Sequence, residues 1–349
     1  MRNLIRRNAA IYTYRIPLNP SISCAGRQLG NRQGLVLRLS QGAPELSGLG
    51  ESAPLPGFSN ETLAQCQQAL IRLVESWVNQ PVDNFAGDSK QLQELLNESS
   101  PSACFGFSCA LHELTQGPLF DPTPVASYPL LQGPSDAALL QQTYRGQDQA
   151  ALDRPRSIKL KLARQPLDQE IAWVQSLLTK SPLLRLRIDC NQGWTLQQAK
   201  QFLSRIPLET LQAIEYLEEP CHDLQQSLRL ADQYAVPLAL DESLRQPGFI
   251  LPEHPALAAL IIKPSLTGSL QQLDSWVSLG SARRLRVILS SSYESSLGLS
   301  QISALASQYT PDEPPGLDTA SHFSVNLIRG GNPLKPTLGW QDLTRVWHS

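Results

Sequence analysis

Five short apolar segments between residues 157 and 268 decide the fold. They are SIKLK (157–161), LRLRID (184–189), IEYLEEP (214–220), PLALDES (237–243) and ALIIKP (259–264). Each segment places a charged residue near its end, and the charged residues of successive segments lie 22 to 29 positions apart. A strand, a turn and a returning helix together need roughly 30 residues. The spacing therefore predicts repeated βα units that form a parallel barrel with helices outside it.

The charged residues of these segments lie where a parallel barrel carries its chemistry. In chain order they are Lys159, Lys161, Asp189, Glu218, Asp241 and Lys263, and Ser290 follows 27 positions later. The carboxyl ends of barrel strands converge on one face, where catalytic groups lie. Because Ile158 and Leu160 alternate with the two lysines of SIKLK, we expect both lysines to point into the barrel. Buried charges are costly unless they are paired or coordinated, which favours a functional role.

The composition excludes several classes of protein. A chain of 349 residues with 41% hydrophobic residues is long enough for a barrel and a second unit. Its net charge of −2 gives neither a basic surface for nucleic acid nor a polybasic patch for membranes. The longest uninterrupted apolar run has about seven residues, well below the ~20 that span a bilayer. With no signal-peptide pattern and no CxxC pair, we expect a cytoplasmic protein, monomeric, acting on a small molecule.

Lysine usage indicates that an amine is needed as a base. The chain has 22 arginines but seven lysines, and three of those seven lie at the ends of the proposed strands. Arginine cannot give up its proton in a protein, whereas a crowded lysine can. A lysine beside a metal ion and a second ammonium has its charged form disfavoured, so Lys161 next to Lys159 could act as a neutral base. The alternative is that both are surface lysines.

Three carboxylates on consecutive strands predict a metal site. Asp189, Glu218 and Asp241 would repel one another and raise each other's pKa if they were left unpaired. A hard divalent cation resolves this repulsion, and all-oxygen ligation with open positions suits Mg²⁺, with Mn²⁺ as a second candidate. The alternative is a structural network in which the acids pair with Arg185, Arg187 or the lysines.

The N-terminal third predicts an α+β unit. Residues 11–18 and 34–39 are typical of two strands, joined by a polar, glycine-containing loop over residues 19–33. Helices are predicted from Ser59 or Asn60 to Val78, over residues 89–97 and over residues 102–114. The Pro- and Gly-rich residues 117–135 indicate the crossing into the barrel.

Motifs in the barrel segments resemble a known superfamily. K-x-K, D-x-N (from Asp189), E-E-P (from Glu218), D-E-S (from Asp241) and K-P-S-L-T-G (from Lys263) are similar, in this order, to the muconate-lactonising branch of the enolase superfamily. Further stretches resemble the o-succinylbenzoate synthase family of the proteobacterial menaquinone pathway: GLGESAPLPGFS (48–59), SACFGFSCALHEL (102–114), SSSYESSLGL (290–299) and PGLDT (315–319).

The resemblance implies a fold and a domain plan. The fold is a modified (β/α)7β TIM-type barrel with an N-terminal α+β capping domain that C-terminal residues complete. On this basis residues 1–125 would form the capping domain, residues 126–320 the catalytic barrel, and residues 321–349 a segment that packs back on the capping domain.

The resemblance also implies a role for each site residue. Asp189, Glu218 and Asp241 match the metal ligands, Lys161 matches the base that then acts as acid, and Lys263 matches the lysine that stabilises an enediolate from the other face. Lys159 fits a supporting charge. Substrate contacts or ordering of the site are implied for Arg187, Ser290, Gly316, Arg27 and Arg32. Ala163 replaces a common Gly after K-x-K.

The implied reaction is the Mg²⁺-dependent dehydration of 2-succinyl-6-hydroxy-2,4-cyclohexadiene-1-carboxylate to 2-succinylbenzoate. Two alternatives stay open. N-succinylamino acid racemases and dipeptide epimerases use the same two lysines and three acids, so these residues alone do not separate the activities. A non-catalytic relative would be expected to lack a ligand or a base, and none is missing from the sequence.

Overall fold

The computed structural model describes residues 7–24, 26–42, 46–79, 90–121, 126–136 and 156–349. The strands among them are β1 (Arg7–Cys24), β2 (Arg27–Gln41), β3 (Leu46–Ser52), β4 (Leu130–Leu131), β5 (Arg156–Lys161), β6 (Leu184–Asp189), β7 (Ile214–Glu218), β8 (Leu238–Leu240), β9 (Leu257–Ile262), β10 (Arg286–Leu289), β11 (Asn326–Leu327), β12 (Thr337–Leu338) and β13 (Thr344–His348). The helices among them are α1 (Leu63–Val78), α2 (Lys90–Glu98), α3 (Pro101–Gln116), α4 (Leu167–Lys180), α5 (Leu196–Arg205), α6 (Leu208–Gln212), α7 (Leu224–Tyr234), α8 (Pro264–Thr267), α9 (Leu270–Ala282) and α10 (Ser296–Tyr309).

A seven-stranded sheet contains the repeated segments in sequence order, from β4 at one edge to β10 at the other. Every strand pair from β4 to β9 is parallel. In the register of this sheet, Lys161 lies opposite Asp189 and Asp189 lies opposite Glu218. The predicted parallel barrel sheet is therefore confirmed, and the ends of β5, β6 and β7 are level with one another.

Alternation along the strands separates apolar from polar side chains as predicted. Ile158 and Leu160 of β5 are buried in one cluster with Leu186 and Ile188 of β6. Helix α4 contributes Ile171, Trp173, Val174 and Leu177 to the same cluster. A second, smaller cluster consists of Tyr128, Tyr216, Ala239, Ala259, Ile261 and Ile288. Lys159 and Lys161 therefore lie on the sheet face that α4 does not cover.

The N-terminal sheet is completed from the far end of the chain. Its strand order is β13-β1-β2-β3, and each neighbouring pair is antiparallel. Leu35, Leu37 and Leu39 of β2 are fully buried in a cluster to which α1 and α3 also contribute. Because β13 pairs with β1, C-terminal residues complete the N-terminal α+β unit, which confirms that part of the predicted fold.

Two glycines allow α3 to pack directly on β3. A Cβ atom at Gly50 of β3 would lie 1.7 Å from the carbonyl oxygen of Gly106 in α3, and one at Gly48 would lie 2.0 Å from that of Ala110. Since no side chain fits at such distances, the helix and the strand touch through their backbones. This close contact explains the glycines of GLGES and SACFGFS, two of the stretches that carry the family resemblance.

The structure differs from the sequence-based prediction at two places in this unit. Residues 19–33 do not form a long loop: β1 continues to Cys24 and β2 begins at Arg27, with Ile22 paired to Leu29. The register shift between Pro17 and Ile22 absorbs the prolines, which cannot donate to a strand ladder. Helix α1 begins at Leu63 because Thr62 and Gln65 form a capping box there, three residues beyond the predicted cap.

The chain divides into two compact units with interleaved segments. One contains Met1–Ala126, Ile262–Leu279 and Leu289–Ser349, and the other contains Ser127–Ile261 and Gly280–Ile288. The domain boundaries at residues 125 and 320 stay a prediction. No helix in the described ranges is both long and apolar enough to cross a membrane.

Candidate active site

Three buried carboxylates lie at the ends of three consecutive strands. Asp189 is the last residue of β6, Glu218 is the last residue of β7, and Asp241 follows β8 directly. None of the three is more than 1% exposed. Apolar strands that end on buried acids are costly to fold unless the charges are compensated, and lysines from the neighbouring strand provide part of that compensation.

Two lysines of β5 bind these acids. The Lys159 Nζ atom lies 2.7 Å from Asp189 Oδ2 and 2.7 Å from Glu218 Oε2. The Lys161 Nζ atom donates to Asp189 Oδ2 at 2.5 Å and to Asn191 Oδ1 at 2.7 Å. Asp189 thus receives both ammonium groups, and Glu218 shares one of them.

The pKa directions show that this cluster is short of positive charge. Burial raises the pKa of Asp189, but the ammonium groups of Lys159 and Lys161 outweigh burial and hold that pKa well below its usual range. Burial, with the nearby Asp189 and Asp241 carboxylates, raises the pKa of Glu218 to about 8 despite Lys159. Burial lowers the pKa of Lys159, yet Asp189 and Glu218 raise it well above its usual value. Three acids facing two amines therefore leave room for a further cation.

The donor set fits a hard divalent cation in its chemistry. It offers only carboxylate oxygens, which are the ligands that Mg²⁺ prefers. Within the described ranges, no three His, Cys, Asp or Glu side chains are already grouped to hold an ion. Asp189 and Glu218 instead close on the Lys159 ammonium, so these side chains would have to turn from the amine toward the metal.

Left-handed backbone follows the strand ends at this site. Ala163, Asn191, Gln192 and Glu219 all have positive φ, between 42° and 61°. Such angles are costly for residues with a side chain, and they concentrate at functional sites. At Ala163, φ is 61°, a conformation that glycine adopts without cost, which explains why glycine is common after K-x-K in the resembling family.

Arg187 lies in a buried cluster that sequence reasoning did not foresee. Its Nε atom donates to Glu215 Oε2 at 2.7 Å, and its guanidinium carbon lies 4.4 Å from the centre of the Tyr128 ring. Ser157 Oγ and Arg286 Nη1 also donate to Glu215, at 2.6 and 3.3 Å. Strict alternation would turn Glu215 away from Tyr216. The register shift between Leu186 and Arg187 relaxes that alternation locally.

Replacing Glu215 with glutamine should reduce stability in a pH-dependent way. Burial raises the pKa of Glu215, but Arg187, Ser157 and Arg286 together lower it below its usual value. A carboxylate with a depressed pKa stabilises the fold above its unfolded pKa, and that contribution is lost as the pH falls through the folded pKa. We expect Glu215→Gln to cost about 2 kcal/mol of unfolding free energy at pH 7, and less in acid below pH ~4.

Urea unfolding of wild type and variant at both pH values measures this difference. The matched control is Glu253→Gln, which removes an exposed carboxylate 3.5 Å from Arg283. Surface pairs of this kind contribute about 0–1 kcal/mol. Equal losses in the two variants, or a Glu215→Gln loss that does not vary with pH, would contradict the assigned role.

The remaining predicted site residues belong to the other compact unit. Lys263 follows β9, and its Nζ atom lies 4.9 Å from the centre of the Phe58 ring. The structure brings Ser290 and Gly316 together: the two form a parallel bridge, and Ser290 Oγ donates to the Gly316 carbonyl at 3.2 Å. Gly316 N donates in turn to Leu289 O at 2.8 Å.

The two arginines of the N-terminal hairpin differ in their surroundings. Arg27 is exposed at the start of β2. Arg32 is buried, and its guanidinium donates to the backbone carbonyls of Gln33, Ala53, Pro54 and Tyr293. The Arg32 guanidinium therefore serves within the protein, fastening β2 to residues 53–54 and to Tyr293. The substrate contacts of Arg27 and Arg32 stay predictions.

Two family models match the chain. MenC, N-terminal domain, matches residues 6–114, and Enolase C-terminal domain-like matches residues 144–327, more than half of the chain. With the parallel sheet and the acids at its strand ends, these matches define the class: the chain is an enolase-superfamily protein with a TIM-type barrel. The resemblance read from the motifs is confirmed at this level.

Relatives narrow the class to one family. An o-succinylbenzoate synthase from Enterobacter sp. (strain 638) is 37% identical over 94% of this chain and 96% of the relative. The o-succinylbenzoate synthase of Haemophilus influenzae is 35% identical over 91% of this chain and 92% of the relative. The chain belongs to the o-succinylbenzoate synthase family.

Solved structures agree on the fold without separating the activities. An o-succinylbenzoate synthase from Thermosynechococcus elongatus BP-1, complexed with Mg in the active site, matches with a TM-score of 0.71 and 24% identity, over 94% of this chain and 96% of that one. The L-Ala-D/L-Glu epimerase from Bacillus subtilis matches with a TM-score of 0.74 and 17% identity, over 98% of each chain. At these identities the likeness shows the fold alone.

Proposed function

We propose that the protein is an o-succinylbenzoate synthase. It would dehydrate 2-succinyl-6-hydroxy-2,4-cyclohexadiene-1-carboxylate to 2-succinylbenzoate in menaquinone biosynthesis. The observation that carries the proposal is the Lys161 amine at the carboxyl end of β5, hydrogen-bonded to a buried acid of a three-carboxylate cluster. Identity of 35–37% to synthases along more than nine tenths of the chain supports the dehydratase over the racemases.

Asp189, Glu218 and Asp241 would hold Mg²⁺, or Mn²⁺ as the alternative. The bound ion would supply positive charge for the negative charge that develops on the substrate carboxylate when its α proton leaves. All three acids lie at adjacent strand ends, and the pKa of Glu218, raised to about 8 by burial and its acidic neighbours, is that of a carboxylate in need of a cation. The Lys159 ammonium holds Asp189 and Glu218 on the side of β5.

Lys161 would carry the proton in both steps. Its neutral Nζ would take the proton from the α carbon, so that the C–H electron pair passes into the enediolate. The same group, now an ammonium, would return the proton to the leaving hydroxyl as the C–O bond breaks, and water departs from the same face. The ammonium of Lys159, which shares Asp189 with Lys161, disfavours a second positive charge there and helps to keep Lys161 neutral.

Other residues would bind and orient the substrate. Lys263 would stabilise the enediolate electrostatically from the opposite face. Ser290 and Gly316, joined by a hydrogen bond, would contact the substrate. Arg187 would order the site through its pair with Glu215, and Arg27 is a candidate for an anion contact at the hairpin. We expect a cytoplasmic monomer that acts on a small carboxylate.

Assays of the purified protein with both kinds of substrate test the proposal. With Mg²⁺ present, we expect the cyclohexadiene carboxylate to be converted to the aromatic product, and treatment with EDTA to stop the conversion. Racemisation of N-succinylamino acids without formation of 2-succinylbenzoate would contradict the proposal and favour the racemase. Absence of both reactions in a folded protein that binds Mg²⁺ would also contradict it.

Asp241→Asn should weaken Mg²⁺ binding while leaving the fold intact. Loss of an outer-shell partner typically reduces metal affinity by about 10–100-fold, and we expect loss of a ligand charge to cost at least about tenfold. Titration calorimetry of the purified variant measures the dissociation constant. Asp232→Asn is the matched control, because Asp232 is 57% exposed and pairs only with His254 among the salt bridges of the described residues. Unchanged Mg²⁺ affinity in Asp241→Asn would count against the ligand assignment.

A further inference from the structure

One buried acid of the site has no role in the chemistry proposed above. Glu219 follows Glu218 directly, yet it is not a proposed ligand and no basic side chain is among its printed hydrogen-bond partners. It is 1% exposed. Burying a carboxylate without a cation is costly unless strong hydrogen bonds replace its hydration, so its contacts indicate what it does.

Four donors converge on the two oxygens of Glu219. Its Oε1 atom accepts from the backbone N–H groups of Asp241 at 3.0 Å and of Ser243 at 2.7 Å. Its Oε2 atom accepts from Ser243 Oγ at 3.0 Å and from Gln192 Nε2 at 3.1 Å. One side chain thus joins the turns that follow β6, β7 and β8, which are the turns that carry the three proposed ligands.

The backbone around Asp241 makes this support necessary. Asp241 has φ −130° and ψ −75°, outside the helical and extended regions. Its N–H donates to the Glu219 side chain, and Glu219 N donates to Ala239 O at 3.1 Å. The direction of the Asp241 carboxylate therefore depends on an irregular backbone that Glu219 holds.

The turn at Glu219 is itself left-handed. Its φ of 42° departs from the extended strand and leaves Glu218 and Glu219 free to serve different partners. Gln192, with φ 60°, donates its own N–H to Glu219 O at 2.7 Å and also contacts His222 Nδ1 through Oε1 at 3.0 Å. Two strained turns are thus locked to each other by backbone and side-chain bonds.

We infer that Glu219 is a positioning residue for the metal site: it sets the backbone of Asp241, and with it the third carboxylate, against the ends of β6 and β7. The inference rests on the proposed function, because it assigns a purpose to Glu219 only if the three acids bind a cation. It differs from a purely structural role in one measurable respect. A structural brace affects stability, whereas a positioning residue also affects the affinity for Mg²⁺.

Glu219→Gln tests the inference with little change in shape. The amide has one acceptor oxygen and an NH₂ group in place of the second, so at least one of the four donors would face another donor. We expect the dissociation constant for Mg²⁺, measured by titration calorimetry on the full chain, to rise about tenfold or more. The concentration of Mg²⁺ that gives half-maximal activity should rise in parallel, while kcat at saturating Mg²⁺ falls less.

Glu170→Gln is the matched control. Glu170 is also buried, at 2% exposure, and its Oε1 atom accepts two backbone N–H groups, from Arg164 at 2.8 Å and Gln165 at 3.1 Å. It contacts none of the three acids through these bonds. We expect Glu170→Gln to lower the melting temperature and to leave Mg²⁺ affinity within twofold of wild type, which separates lost stability from lost positioning.

A second variant keeps the test decisive if Glu219→Gln does not fold. Ser243→Ala removes one donor to Glu219 Oε2 and leaves both backbone donors in place, and we expect a smaller rise of the Mg²⁺ dissociation constant, about two- to fivefold. If the wild type binds Mg²⁺ and the folded Glu219 variant, or failing that Ser243→Ala, binds it equally well, the inference is overturned while the proposed function stands. If the wild type binds no Mg²⁺, both fail.

Discussion

Lys161→Ala is expected to lower kcat by about 10²–10⁴-fold or more, because the variant loses the group that both removes and returns the proton. The fold should survive, since Lys159 still neutralises Asp189 at 2.7 Å after the change. Mg²⁺ affinity should survive for the same reason, as all three acids remain. Steady-state kinetics at saturating Mg²⁺, with calorimetry and circular dichroism on the same sample, measure the three quantities.

Lys161→Arg distinguishes proton transfer from charge. Arginine keeps the positive charge beside Asp189 but does not release its proton, so a base at this position predicts an inactive variant. Lys180→Ala, at an exposed position at the end of α4, is the control for a general effect of losing a lysine. Near-normal kcat in Lys161→Ala, or substantial activity in Lys161→Arg, would overturn the assignment.

Lys159→Met is expected to destabilise the protein more than any surface change. The Lys159 ammonium is 8% exposed and contacts both Asp189 and Glu218, so its removal leaves buried carboxylates without their main counter-charge. Breaking a buried ion pair from one side costs about 3–5 kcal/mol. Urea unfolding in EDTA measures the loss, and methionine is chosen because it fills the volume of the lysine stem.

Magnesium should restore part of that stability. An ion that binds the folded state alone stabilises it by mass action, and in Lys159→Met it no longer competes with an ammonium for Asp189 and Glu218. We therefore expect added Mg²⁺ to raise the melting temperature of Lys159→Met more than that of the wild type or of Lys180→Met. A variant as stable as the wild type in EDTA, or one that ignores Mg²⁺, would contradict this account of the cluster.

The sequence predicted the barrel strands and the acids at their ends because both follow from periodicity. Alternation in β5 places Lys159 and Lys161 on one face whatever the tertiary context, and the spacing of βα units brings Asp189 and Glu218 level. The contacts of these four residues agree with that reasoning. Their catalytic and metal-binding roles stay predictions that the variants above test.

Local departures from periodicity were beyond sequence reasoning. Glu215 contacts Arg187 because of a one-residue register shift, and no residue type signals where such a shift falls. Glu219 was set aside as the wrong half of E-E-P, because its role depends on a left-handed turn that only coordinates reveal. The hairpin over residues 19–33 was predicted as a loop since its prolines and glycines are typical of loops, whereas strand pairing resumes beyond them.

The pairing of β13 with β1 bears on how the protein is made. During synthesis the ribosome releases β1 long before β13, and the segments of the other compact unit emerge in between. Until residues 344–348 appear, one edge of the nascent N-terminal sheet stays open to other chains. Contacts between such distant residues also slow folding. Chaperone demand should therefore be greatest for chains stalled short of β13, and removing that strand should cause aggregation out of proportion to its five residues.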